Sequence, residues 1–502
     1  MPRHPTDPDS GPASDLLRAG TPAGRWVVVA TVLGSGLALL DATVVGIALP
    51  TMGRDLHTGL GPLQWVVTGY TLTLSALLLL GGSLGDRRGR RRIYVIGVAW
   101  FAIASAACGL APNAPALIAT RVLQGVGAAL LTPGSLAILQ SSFAPADRPR
   151  AIGTWSGWSG IASAAGPLVG GYLLSVGSWR LIFFINVPLA VVTIGVSLRS
   201  VPESRDPSAV GHLDYTGAAL AVVALAGITF GLIQGPIDGW SSPGVLAMLG
   251  LGLAATAGFV LAERRQRYPM LPLGIFRSRQ FSAANAVTFA VYAALGGALF
   301  LMPTALQVCS GYTPLESGVA VLPIPVVMLA LSGRSGRVAG VIGPRLQMSM
   351  GPVVVAVGLV LLTRIPGNAG YLVSVFPGVL LLALGLATTV APLTSTAMSA
   401  APSEHAGMAS AVNNDVARVG GLLAVAVLPA LSGITGMSYL HADQLSHGFE
   451  RAMLLCAGLC LLGAALAVVG IRNPPRPAVA PGRVPAGGLP VQCGLDAPTL
   501  RH

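Results

Sequence analysis

Residues Gly82–Arg92 read GSLGDRRGRRR, five Arg around a single Asp. Apolar runs lie on either side, near 62–84 and 93–111, each close to the roughly 20 residues a helix needs to cross a bilayer. A loop this charged stays out of hydrocarbon, so it marks one membrane face. Moving outward in both directions, apolar runs recur almost end to end. They fall near 25–49, 62–84, 93–111, 114–139, 150–176 and 180–200, then 213–235 and 243–262. Six more lie near 281–307, 314–335, 346–364, 370–398, 406–432 and 449–471. Of the 502 residues, 53% are hydrophobic and 10% charged, against about 25% charged in soluble domains. The pattern predicts an all-α membrane protein with fourteen transmembrane helices and no room for a sizeable soluble domain.

The formal charge of +12 rests entirely on Arg, since the 30 residues counted as Lys plus Arg contain no Lys. Their placement argues for a membrane face and against nucleic acid. With both termini cytoplasmic, the termini and the even-numbered loops hold 24 Arg, the opposite face 4 and the spans 2. That is the positive-inside bias, and a thirteen-span count would spoil it. The five Cys lack metal-ligand spacing, and four of them sit in or beside apolar runs, so they read as packing residues. No cleaved signal peptide is expected, because the first apolar run is followed by many more. Residues 1–24 read as a cytoplasmic tail, 25–200 as a first six-helix bundle and 201–280 as two inserted helices with linkers. Residues 281–471 read as a second six-helix bundle and 472–502 as a Pro/Gly-rich disordered tail.

GRVAGVIGPR (Gly336–Arg345) follows the second span of the last six, as GSLGDRRGRRR follows the second span of the first six. Six-helix repeats of this kind build two bundles around a central site. The first loop carries Gly82, Leu84, Asp86, Arg87, Gly89, Arg90 and Arg91 in the spacing Gly-x-Leu-x-Asp-Arg-x-Gly-Arg-Arg, and so resembles the major facilitator superfamily. The resemblance implies two six-helix bundles plus two inserted central helices. It also makes Gly82, Asp86, Arg87, Gly89 and Arg90 a conformational latch, in which Asp86 bonds Arg and helix N-termini across the bundle interface. The plain alternative is a positive-inside loop with one stray Asp. The second loop has Gly340 where the first has Asp86.

Three further stretches carry the resemblance. Leu117, Arg121, Gln124, Gly125, Gly127 and Ala129 match a fourth-helix motif of the superfamily. A mid-span Arg is costly unless it is partnered or faces a polar cavity, so Arg121 is a candidate for proton coupling or state switching, or else a satisfied structural residue. Gly166, Pro167, Gly170 and Gly171 form the Gly-Pro-x-x-Gly-Gly core associated with antiporters, unless they are ordinary small-residue packing. LDATVVGIALP (Leu40–Pro50) resembles a segment of the fourteen-helix drug:proton antiporter branch, with Gly46 in place of the usual Asn. Asp41 lies there among apolar residues, as a proton or cation site or as the centre of structural hydrogen bonds.

WRLIFFINVPLA (Trp179–Ala190), PMLPLGIFRSRQF (Pro269–Phe281), QVCSGYTPLESGVAVLP (Gln307–Pro323) and ASAVNNDVARVGG (Ala409–Gly421) extend the resemblance over about 25–471. Within the last, Asp415 stands where the branch usually has a neutral residue. Three positions from Arg418 on one helix face, it either neutralises that Arg or adds a second site for a proton or cationic substrate. The resemblance implies proton-driven export of hydrophobic or amphipathic organic compounds (drugs, antibiotics or toxic metabolites) through the plasma (inner) membrane. An uptake or facilitative carrier for a narrow metabolite is the alternative on the same fold. The expected partners are the small organic substrate, protons and the bilayer, with no nucleic acid; the protein is expected to act as a monomer, without a cofactor and not as an enzyme. A phosphate-binding Walker loop is not found. His441, His447 and Asp443 are placed in the last outer loop, where they could hold a metal or be scattered polar residues; no metal is expected.

Overall fold

The computed structural model describes residues 16–206, 213–266, 269–367, 370–401 and 406–473. Among them fourteen helices are long and apolar enough to cross a membrane. In the first half these are α1 (Pro22–Asp55), α2 (Leu60–Arg88), α3 (Arg90–Gly109), α4 (Ala114–Ser142), α5 (Arg148–Val176) and α6 (Leu181–Ser200). The middle pair is α7 (Tyr215–Asp238) and α8 (Pro243–Arg265). The last six are α9 (Arg279–Val308), α10 (Pro314–Ile342), α11 (Pro344–Leu362), α12 (Tyr371–Ser399), α13 (Met408–Leu431) and α14 (Ala442–Gly470). A bilayer offers no water to unpaired backbone groups, so each crossing segment must close its own hydrogen bonds as a helix. The starts carry matching chemistry. Thr21 and Asn113 accept from backbone N–H groups at the head of α1 and α4, each with Pro in the first turn, and Thr313 with Glu316 forms a capping box on α10. α10 is interrupted at Val321 and Leu322, just before Pro323, which has no N–H to give.

The packing repeats with a shift of eight helices. In the first bundle α1 packs on α5 and α6, α4 on α2 and α3, and α3 on α6. In the second, α9 packs on α13 and α14, α12 on α10 and α11, and α11 on α14. The bundles meet along two seams, α2 against α13 and α5 against α10. The α7–α8 pair leans over the first seam through α7, which touches both α2 and α13, while α8 turns Leu246, Leu251 and Leu253 outward. Two ends can then be distinguished: an Arg-rich end with the α2–α3 turn at Gly89, and an Arg-poor end with the α1–α2 and α13–α14 connections.

The helix ends depart from the sequence reading at three places. α2 runs on to Arg88 and α3 starts at Arg90, so the charged Gly82–Arg92 stretch is helix on both sides of a turn at Gly89 and not a loop. α14 begins at Ala442, so Asp443 and His447 stand on a helix and not in a loop. The polar turns before Phe449 hide that start from a hydropathy reading, because a helix continues past the hydrocarbon as long as its backbone bonds close. α10 runs on to Ile342, which puts Arg334 and Arg337 on its last turns and not in a loop. The start of the expected C-terminal tail is fixed: Arg472 N–H donates to Gln280 Oε1 at 2.9 Å, and Asn473 accepts from Arg345 N–H at 3.0 Å. The rest of that tail, residues 474–502 with Cys493, lies outside the described residues, as do residues 1–15.

Candidate functional site

Asp41 and Arg121 form one buried ion pair, each 1% exposed, with Arg121 Nη1 2.5 Å from Asp41 Oδ2. Four helices build it. α1 contributes Asp41, α4 supplies Arg121 and Gln124, α6 supplies Asn186, and α2 supplies Tyr70 and the Val66 carbonyl. Gln124 Nε2 donates to Asp41 Oδ1 at 2.9 Å and Asn186 Nδ2 to the same oxygen at 3.1 Å. Arg121 donates through Nη1 to Gln124 Oε1 at 2.7 Å and through Nε to Val66 O at 2.9 Å. Its guanidinium lies over the Tyr70 ring, 4.3 Å from the centroid. A charge buried without partners is expensive; here the carboxylate takes three donors and the guanidinium spends two of its nitrogens on oxygens. The ion pair joins α1 to α4, and the hydrogen bonds around it bring in α2 and α6.

Sequence reasoning singled out Asp41 and Arg121 and quoted Gln124, but gave Asn186, Tyr70 and Ser105 no role. Ser105 on α3 accepts from Asn186 Nδ2 at 3.0 Å and donates to Phe183 O at 2.9 Å. The available signal was Asn186 itself, an amide inside an apolar run. Gly46, where the resembled segment carries Asn, faces open space: a Cβ there would meet nothing within 4 Å.

Asp415 and Arg418 are not brought into contact. They act on each other electrostatically, yet among the described residues no hydrogen bond or ion pair joins them, and Asp415 Oδ1 is buried with no partner. Arg418's charge also reaches Tyr70 of α2 and Tyr292 of α9. Tyr70, which lies against Arg121, is thus also in the field of Arg418.

The Gly-Pro-x-x-Gly-Gly stretch of α5 touches two helices of different bundles. Gly166 and Gly170 lie on α1, where a Cβ at Gly170 would come 2.9 Å from Val44 Cγ1. Gly171 lies on α10, where a Cβ would come 2.9 Å from Leu315 N and Pro314 O. Gly318 of α10 in turn sits against the backbone of Pro167. Only glycine permits backbone contact this close.

The hydrogen bonds that join the bundles gather at the Arg-poor end. Leu60 N–H donates to Gly436 O at 2.8 Å, Tyr439 Oη to Thr58 O at 2.9 Å and Gln307 Nε2 to Ile47 O at 2.9 Å. Burial pushes the Tyr439 phenol up to about 12, so it stays a donor at neutral pH. Gln64 Nε2 donates to Val425 O at 2.6 Å, the carbonyl left without its helical N–H because Pro429 stands four residues on. None of these ties was legible beforehand, since each joins positions more than 250 apart in the chain.

At the Arg-rich end, the bonds of Asp86 among the described residues stay within its own bundle. Its Oδ1 accepts from Arg90 Nε at 2.7 Å and its backbone carbonyl accepts from Asp206 N–H at 2.9 Å. Gly89 makes the turn at φ +113°, and Glu203 accepts from the N–H groups of Arg91 at 3.1 Å and Arg92 at 3.2 Å. Gly82 packs on Pro133 of α4. The contacts read for Asp86 across the bundle interface are thus made to Arg90 and to the stretch after α6. The polar residues His441, His447 and Asp443 belong to no metal-sized cluster: among the described residues no group of three or more His, Cys, Asp or Glu is placed to hold an ion.

The family model of the Major Facilitator Superfamily matches residues 31–425. The chain is 37% identical to the tetracenomycin C resistance and export protein of Streptomyces glaucescens over 82% of its own length and 78% of that protein's. It is 36% identical to the multidrug resistance protein Stp of Mycobacterium tuberculosis, covering 85% and 78%, and 34% identical to the puromycin resistance protein pur8 of Streptomyces alboniger, covering 93% and 95%. Among solved structures it resembles a bacterial homologue of the human lysosomal transporter Spinster in an inward-facing, unoccupied conformation. That match has a TM-score of 0.66 at 16% identity and covers 90% of this chain and 97% of the other.

Proposed function

The chain belongs to the Major Facilitator Superfamily, and on that premise we propose that it exports hydrophobic or amphipathic organic compounds across the plasma membrane in exchange for protons. Export is supported by relatives named for antibiotic resistance and export. Proton exchange rests on one observation, the buried Asp41 carboxylate held by Arg121, Gln124 and Asn186.

A proton arriving on Asp41 converts the carboxylate to a neutral acid and leaves Arg121 without a counter-charge. The ion pair then ceases to hold α1 against α4, and Arg121 is left with Gln124, Val66 O and the Tyr70 face. α1 is the helix through which this is felt elsewhere: it lies under Gly166 and Gly170 of α5, and its Ile47 carbonyl takes the Gln307 bond from the other bundle. Loss of the ion pair therefore biases the seam as well as the site, which is how a ligand shifts a two-state equilibrium. With both termini and the Arg-rich end in the cytoplasm, the ties at the Arg-poor end hold the outer side shut. The unbonded Asp415 oxygen, with Arg418 beside it, offers a second polar point for a cationic or donor-bearing group on the substrate.

The test is accumulation of a panel of cationic, neutral and anionic compounds in efflux-deficient cells and everted vesicles carrying wild type, Asp41→Asn or Asp415→Asn. The expected result is efflux by wild type that a protonophore abolishes and Asp41→Asn lacks, with Asp415→Asn narrowing the panel among cations. Efflux that survives both the protonophore and Asp41→Asn would overturn proton exchange at this residue.

A further inference from the structure

Away from the bundle interior, two carboxylates meet at the Arg-rich end of the inserted pair. Asp214 caps α7: its Oδ1 accepts from Gly217 N–H at 2.6 Å and from Gln266 Nε2 at 2.8 Å. Glu263, in the last turn of α8, is 3% exposed and its Oε2 accepts from Leu271 N–H at 3.0 Å. The remaining oxygen of each, Asp214 Oδ2 and Glu263 Oε1, is buried and has no donor. Both crowd the same point: a Cβ added to Gly217 would run into Asp214 Oδ2 and come 2.9 Å from Glu263 Oε1. Oδ2 and Oε1 thus converge on one point beside Gly217, and the charge of Asp214 acts on Glu263.

Two ionised carboxylates facing each other out of water repel, and each leaves an acceptor unsatisfied. One proton removes both costs, because it turns one oxygen into a donor for the other. Among the described residues no Arg or His makes an ion pair with either carboxylate, and the adjacent Arg264 and Arg265 are exposed. Among the described residues, the other groups facing the pair are the neutral Gln266 amide and backbone N–H groups. A divalent ion would want more oxygen ligands than two acids supply, and among the described residues no third His, Cys, Asp or Glu is in place.

We propose that Asp214 and Glu263 bind a proton between Oδ2 and Oε1, and that this shared proton ties the start of α7 and the end of α8 to the linker entering the second bundle. The linker matters because Leu271 packs with Ile275, Phe281, Ala409 and Val412, at the foot of α9 and α13. The inserted pair, which leans on the α2–α13 seam, is thereby fastened to the second bundle through a protonation site that has no part in the Asp41 network.

The inference rests on the geometry of the pair, and its test measures no transport, so it stands or falls apart from the export reading. Purified full-length protein in nanodiscs is followed by infrared spectroscopy and by thermal unfolding between about pH 6 and about pH 9. The folded pair holds a proton that separated acids in an unfolded chain have already released at these pH values. Its stabilisation is therefore present at the lower end and lost as pH rises and the proton leaves. The expected result is a protonated-carboxyl band in wild type that Glu263→Gln removes, and an alkaline fall in Tm that Glu263→Gln, whose amide N–H replaces the proton, no longer shows. No band in the wild-type-minus-variant difference, with the same alkaline slope in both, overturns the proposal. Stabilisation by added Na+ or Ca2+ that Glu263→Gln abolishes also overturns it, in favour of a bound cation. Should Glu263→Gln fail to fold, Asp214→Asn removes the same proton from the other side of the pair, and the same band must disappear.

Discussion

Three residues beyond the last helix of each bundle, a side chain reaches back to the first turn of that bundle's third helix. In the first bundle it is Glu203, which accepts from Arg91 N–H; in the second it is Asn473, which accepts from Arg345 N–H. Gly89 and Gly343 make the corresponding turns at φ +113° and +87°. The backbone solution is the same in both halves, but the chemistry filling it differs. The first half uses Glu203 and Asp86, where the second has Asn473 and Gly340. Deeper in, the first half is centred on Asp41 and Arg121. The second has a neutral cluster in which Asn413 Nδ2 donates to Thr288 Oγ1 at 2.7 Å and to Asn285 Oδ1 at 3.2 Å. Folding needs the hydrogen bonds, which both halves have; the buried charge of the first half is additional to that need, and it is there that the proposed proton exchange is placed.

This contrast can be broken in order of effect. Asp41→Asn leaves a buried Arg121 without its counter-charge and is expected to cost about 3–5 kcal/mol, the usual penalty for halving a buried pair. Thermal unfolding in detergent would register it, and Asp41→Asn combined with Arg121→Gln should recover part of the loss. Asn413→Ala, in the neutral half, strips a donor from Thr288 and Asn285 and should cost about 1–3 kcal/mol. Unlike Asp41→Asn it should leave protonophore-sensitive efflux in place, which vesicle assays would separate. Glu203→Asn copies the second half into the first and should cost about 1 kcal/mol or less, because the site is partly exposed; unfolding in low and high salt would show the difference shrink as salt rises. Gly46→Asn fills open space and should change stability by no more than about 0.5 kcal/mol, while altering which compounds of the panel are exported.

Much of this was legible in the chain. All fourteen helices follow from apolar runs and the Arg bias, since burying backbone in lipid leaves few other structures available. Asp41, Arg121 and the small residues of α5 stood out because polar or glycine residues in an apolar helix need a reason. Partnership was less visible. Nothing in the spacing of Gln64, Gln307 or Tyr439 says which carbonyl of the other bundle each will find, because that depends on how two folded bodies meet. The Asp415–Arg418 pair shows the converse: helical spacing places two opposite charges on one face, yet the side chains make no bond. The start of α14 escaped because hydropathy reports where lipid ends and not where a helix does.

The bond from Gln64 to Val425 O has one more implication. Pro429 has already removed the N–H that would serve this carbonyl within α13, so when the Arg-poor end parts and Gln64 withdraws, the remaining source of a donor there is a water molecule. Separation at that end is then a hydration step as much as a mechanical one. Osmolytes excluded from protein surfaces should hold it shut, and the population of the parted form should track water activity.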